Sequence, residues 1–359
     1  MKPKQRFLVA LKRGQPDRVP IFDCLFSKDV YEYAIGKRPE SYNGSDAAEG
    51  SLALGLDAAF IFESGAGGLT PKKLTGDTYQ GEWGITWKVD PPGWPADGPV
   101  DCPIKNRKDF ESYVPPDPLD PKRVKDVEIA VEKAKDRIAI VGAVPGPFTM
   151  AWLLTGFERF ALAIYDDPDL VEGLLAMTTD YAIKLSKKMV AAGADVIMPC
   201  DDIGTKTGPF ISPKQFETFV FSYLKRLVGS VKKLDVPVLF HCCGNIDVIL
   251  DKFVEVGMDG YNPVQRSAGM DLGKVKSKYG KRICLSGNVN SSTTLPYGTE
   301  EDVEKETKEC LRVGAPGGGY ILSSDHSFHG GIPINNILKL IEVGKKYGKY
   351  PLKKELFRI

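Results

Sequence analysis

The sequence predicts an α/β chain wound as a (β/α)8 barrel of the TIM type. One domain would span 1–359, with a small β-hairpin inserted after strand 2, at 70–100. Three observations carry this. Eight short, apolar, β-branched segments recur along the 359 residues, and most are continuously apolar, as parallel strands covered on both faces are. Amphipathic stretches with recognisable helix starts separate them, which is the alternation of a parallel sheet. No G-x-G-x-x-G follows the first strand, which counts against a dinucleotide-binding sheet.

In chain order the expected strands are 19–22, 57–62, 138–142, 195–199, 236–240, 258–263, 282–286 and 320–323. Asp166-Asp167-Pro168 opens a long helix that reaches about Ala191, with a proline where the first turn tolerates one. Ser212-Pro213-Lys214-Gln215 sets a hydroxyl and a glutamine at capping-box spacing. Thr299-Glu300-Glu301-Asp302 caps another helix and puts acids in its first turn, where the helix dipole favours them. The segment 70–100 breaks the rhythm with Trp83, Trp87 and Trp94 among glycines and prolines. Alternation over 82–89 reads as the hairpin, on the same side as the strand ends. Its tryptophans either line a pocket, dock a partner or form a small core of their own.

Lysine and arginine total 48 against 47 acidic side chains, so there is no electrostatic case for nucleic acid or an anionic membrane surface. No run approaches the roughly 18 apolar residues of a membrane span, and the first residues lack the apolar core of a signal peptide. The seven cysteines are odd in number and mostly lie in apolar segments. That composition reads as reduced thiols in a cytoplasmic protein without structural disulfides. A homo-oligomer is left open.

Barrels of this class build their sites at the C-terminal strand ends. There the chain carries Glu63, Pro147-Phe148-Thr149, Asp201-Asp202, His241-Cys242-Cys243, Asn288 and His326, so all three histidines, His329 included, fall on one rim. Alternate strand residues share a face, which lets His241 and Cys243 act together as half of a zinc site. His326 is the expected third ligand, with Asp201 and Glu63 as competing carboxylates. Asp201 or Asp202 is the expected proton acceptor or metal ligand, only one of the two facing the pocket. Phe148 and Trp152 are expected as pocket walls and Asn288 as a substrate contact, with core packing the alternative for the two aromatics.

At these residues the chain resembles the uroporphyrinogen decarboxylase superfamily, a (β/α)8 family. The resemblance runs over nearly the whole chain: Arg6-Phe7 with Pro16-Asp17-Arg18-Val19-Pro20, Gly146-Pro147-Phe148-Thr149, Gly287-Asn288-Val289-Asn290 and Gly298-Thr299-Glu300-Glu301-Asp302-Val303. Phe22-Asp23-Cys24-Leu25-Phe26-Ser27 lacks the arginines that would hold a porphyrinogen's carboxylates. Glu63-Ser64 stands where the decarboxylase has its aspartate, and Trp152-Leu153 where it has its tyrosine. The chain therefore looks most like the cobalamin-dependent methyltransferase branch. That resemblance implies zinc, a small methylated substrate and a corrinoid carried on a partner protein. His241-x-Cys243 matches the branch's zinc motif, whereas the downstream cysteine is missing and His326 stands near its place. One thiolate with harder ligands suits an O-methyl ether as the group demethylated; two would suit a thiol acceptor. The alternatives are a metal-independent decarboxylase or lyase acting on a smaller substrate, with Asp201 or Glu63 and His326 as its catalytic groups, and a methyl-corrinoid:thiol methyltransferase.

Overall fold

A computed structural model describes residues 1–65, 69, 71–89, 94–95, 98–353 and 356. Seven of the eight expected segments form one sheet: β1 (Ala58–Ile61), β2 (Ala139–Pro145), β3 (Val196–Cys200), β4 (Leu239–His241), β5 (Gly260–Asn262), β6 (Cys284–Val289) and β7 (Tyr320–Ser324). They lie in the order β7–β6–β5–β4–β3–β2–β1, and every neighbouring pair is parallel.

The eighth segment, 19–22, departs from the expectation of a regular strand. It makes a single parallel bridge, Ile21 to Leu322. Phe22 N–H donates to the Leu322 carbonyl at 3.1 Å, and Asp57 N–H to the Ile21 carbonyl at 2.8 Å. Pro20 has no N–H to offer a ladder, and the Ile21 N–H is taken by the Asp57 carboxylate at 2.7 Å. A side chain thus replaces part of the strand pairing between 19–22 and β1.

Strand side chains alternate between faces, and the core divides accordingly. Phe22, Phe60, Val141, Met198, Leu239 and Ile321 pack into one buried cluster with Phe7 and Leu11 of the helix Pro3–Leu11. The opposite faces pack against the surrounding helices in a larger cluster.

The insertion has more strands than the expected hairpin. Lys72–Lys73, Thr78–Gln80, Thr86–Lys88 and Gly98–Asp101 form a four-stranded antiparallel sheet in sequential order. Residues 70, 90–93 and 96–97 of this segment lie outside the described residues. Strand structure covers only Thr86–Lys88 of the alternating run, because Gly84 turns the chain at φ +74°. Trp83 belongs to the main core, its ring 4.6 Å from that of Tyr181. Buried Arg123 fastens the insertion down. It donates to Glu82 at 2.8 and 2.9 Å and reaches Glu63 at 3.4 Å. All seven cysteines are free. Among the described residues no helix is long and apolar enough to cross a membrane.

Candidate metal centre

β3 runs on through Asp201-Asp202 and β4 through Cys242-Cys243. Cys200 and His241 are register partners, so the two loops leave the sheet side by side. Glycine lets them touch. A Cβ on Gly204 would lie 2.5 Å from the Cys243 carbonyl, and one on Gly244, at φ +85°, 2.3 Å from the Gly204 carbonyl carbon. Asn245 N–H donates to the Thr205 carbonyl at 2.6 Å and pins the contact.

This juxtaposition brings ligand atoms of Asp202, His241 and Cys243 within 4.8 Å of one another. His241 Nε2 is 3.6 Å from Asp202 Oδ1, and the same oxygen accepts the Cys243 N–H at 2.9 Å. All three side chains are half-buried. Cys242 is buried and turned elsewhere, its sulfur accepting the Ile203 N–H at 3.3 Å.

A chain of hydrogen bonds orients the imidazole. His241 Nδ1 lies 2.8 Å from Asn262 Oδ1, Asn262 Nδ2 donates to Ser286 Oγ at 2.9 Å, and Ser286 Oγ meets Ser323 Oγ at 3.0 Å. The Asn262 amide nitrogen is spent on Ser286, so its oxygen must accept from Nδ1–H. The lone pair then sits on Nε2, the nitrogen facing Asp202. Partners of this kind commonly set the tautomer of a metal-binding histidine. Burial, followed by the nearby Asp202 charge, pushes the Cys243 thiol well above its usual range; a cation would reverse both influences. One nitrogen, one oxygen and one sulfur at this range fit a zinc-type ion.

The two adjacent acids split their work. Asp201 is fully buried and caps the helix Pro147–Thr155, accepting the N–H groups of Phe148 at 3.2 Å and Thr149 at 2.7 Å. Burial raises its pKa to about 7 against the pull of those bonds. Asp202 alone faces His241 and Cys243.

His326, the expected third ligand, is exposed and stands outside the trio. Its ring lies 6.4 Å from that of His241 and its Nδ1 3.0 Å from Ser327 Oγ. Sheet order explains the difference: β3 adjoins β4, whereas β7 lies three strands away. Glu63 accepts the Tyr181 hydroxyl at 2.7 Å beside Arg123, and burial holds its carboxyl above the ordinary range. Phe148 is buried in the core against Phe160. Asn288 is buried too, donating to the Val264 carbonyl at 2.7 Å and accepting from Arg266 Nε at 3.2 Å, so it braces the loop after β5. Trp152 borders a cavity of about 570 Å³ between the inserted sheet and the helix Phe157–Asp166. His329 Nε2 meets the Ser291 carbonyl at 2.9 Å. Sequence reasoning missed Asn262, Ser286 and Ser323. The available signal was a polar residue closing each of three apolar strands.

The family described as uroporphyrinogen decarboxylase (URO-D) matches residues 95–347. The chain belongs to this family. Among its relatives, the methylcobamide:CoM methyltransferase MtbA of Methanosarcina acetivorans is 29% identical, over 96% of this chain and 98% of its own. A uroporphyrinogen decarboxylase of Anaeromyxobacter dehalogenans is 26% identical over 96% and 99%. The solved structure of a methyltransferase from Methanosarcina mazei superposes with a TM-score of 0.78 at 27% identity, covering 97% of this chain and 99% of that one. Relatives of this chain thus carry both names.

Proposed function

We propose that this URO-D protein is a corrinoid-dependent methyltransferase, and that Asp202, His241 and Cys243 hold a zinc ion. The observation that carries the reading is the convergence of a carboxylate, an oriented imidazole and a single thiol at the ends of β3 and β4. Relatives named methylcobamide:CoM methyltransferase, matching over nearly the full length, support the reaction class. One thiolate among harder donors favours Lewis acidity over thiolate softness. The favoured methyl donor is therefore an O-methyl ether, demethylated toward a corrinoid protein. When bound, the zinc would polarise the ether oxygen and make its methyl group easier to displace.

The chain's own residues supply orientation. Asn262 holds the His241 ring and its proton at Nδ1, and the Cys243 N–H holds the Asp202 carboxylate. The Gly204–Gly244 contact fixes the spacing between the two loops. We place the seven sheet strands and 19–22 in one closed (β/α)8 barrel, a single domain over 1–359 with the inserted sheet at its rim. Seven free thiols accord with a reducing cytoplasm.

A second reading, methyl transfer from the corrinoid to a thiol, is favoured by the names of those relatives. Metal analysis of the purified protein, followed by incubation with an O-methyl ether and a Co(I) corrinoid protein with and without chelator, separates the possibilities. Stoichiometric zinc and chelator-sensitive demethylation are expected, both lost in His241→Ala. Transfer to a thiol only would select the second reading. Metal-free protein that decarboxylates a small acid would overturn both.

A further inference from the structure

We infer that the methyl donor is an aryl methyl ether, its ring seated on Phe26 and Phe62; this rests on the methyltransferase reading above. Alternate residues of a strand share a face. Continuing the inner cluster one step along four of its strands goes from Phe60 to Phe62, from Leu239 to His241, from Cys284 to Ser286 and from Ile321 to Ser323. The layer reached in this way has two arcs. β4 to β7 contribute the polar one, which holds His241. Phe26 and Phe62, half-buried and packed on the inner cluster, form the aromatic one.

The aromatic arc is built rigidly. Phe26 and Phe62 lie 5.8 Å apart and 11° from parallel, while Phe60 and Tyr42 brace Phe62 edge-on at 4.7 and 5.3 Å. Its polar atoms are committed elsewhere. The Tyr42 hydroxyl donates to the Phe60 carbonyl, and the buried Asp23 carboxylate accepts the N–H groups of Cys24 and Ser324. Methanol or a small thiol would leave these two faces wet, whereas a planar ring covers them. A quaternary ammonium is disfavoured, because the Lys28 ammonium already stands 5.4 Å over Trp94, whose ring lies 6.1 Å from Tyr42.

The chemistry agrees with an arene. The methyl carbon–oxygen bond breaks and its electron pair stays on oxygen. The ring delocalises that charge as a phenolate, a better leaving group than an alkoxide. The methyl group passes as a cation equivalent to Co(I) of the corrinoid protein, whose two electrons form the new bond, leaving cobalt formally Co(III).

The test is calorimetric titration of the full-length, metal-loaded protein with 2-methoxyphenol and with 2-methoxyethanol, alongside methyl transfer from each to Co(I) cobalamin. The arene is expected to bind at least tenfold tighter, and Phe62→Leu to weaken arene binding about fivefold at unchanged zinc content. Phe26→Leu serves the same purpose should Phe62→Leu fold poorly. Equal binding of the two ethers, or arene binding unmoved in both variants, overturns the inference while leaving methyl transfer standing. Tight arene binding with no transfer from either ether would instead defeat the demethylating reading above and keep the ring seat.

Discussion

Cys243 is the residue on which a pH measurement can act. Burial and the Asp202 carboxylate both keep its thiol protonated, while a metal takes the thiolate. Cation uptake must therefore release a proton, and zinc should bind more tightly as pH rises, about tenfold per unit over roughly pH 6 to 8. Competition titrations of zinc across that range should show this slope in the wild type and a flatter one in Cys243→Ser. A wild-type Kd flat with pH would remove Cys243 from the ligand set. The sequence offered His241 and Cys243 as a pair because a strand's alternation puts them on one face. It could not say which of Asp201 and Asp202 joins them. That choice depends on Gly146, where a Cβ would lie 2.2 Å from that of Asp201, a contact made between distant parts of the chain. Asn262 was hidden for the same reason: its amide matters only because β5 lies beside both β4 and β6.

Two loops, more than any one side chain, make the centre. Gly244 at φ +85° is in the left-handed region that side chains resist, and any Cβ there meets the Gly204 backbone. Gly244→Ala should force the loops apart, cost about 2 kcal/mol or more, and empty the metal site while the helices and strands persist. Zinc content and circular dichroism measured together check this; full zinc occupancy in the variant would show that the loop contact does not set the ligand spacing. Seven strands were legible because both faces are covered, which leaves a continuous apolar signature at β1, β2 and β3. The segment 19–22 reads equally apolar, yet its pairing is partly taken over by the Asp57 side chain. The insertion was legible as an irregular segment but not as four strands, since Lys72–Lys73 and Gly98–Asp101 carry no apolar alternation.

At the scale of the molecule, the N-terminal segment is joined to β1 by charge as well as by packing. Asp57 is fully buried and receives Arg6 Nη1 at 2.6 Å, Arg18 Nη1 at 2.9 Å and the Ile21 N–H at 2.7 Å. Arg6 also grips Asp17 through Nε at 2.7 Å and Nη2 at 2.8 Å. Removing one partner of a buried ion pair leaves a charge short of compensation, a far larger effect than losing a solvated pair. Arg6→Ala should therefore destabilise the whole fold by about 3 kcal/mol, whereas Arg38→Ala, whose pairs with Asp29 and Glu32 are exposed, should not measurably move the urea midpoint. Asp57 precedes β1, at the end of the sheet opposite the metal trio, which follows the C-terminal ends of β3 and β4. Zinc affinity in folded Arg6→Ala should accordingly stay at the wild-type value. A loss of zinc affinity in step with stability would mean that the two ends of the sheet are coupled, and that the centre depends on how 19–22 is held between β7 and β1.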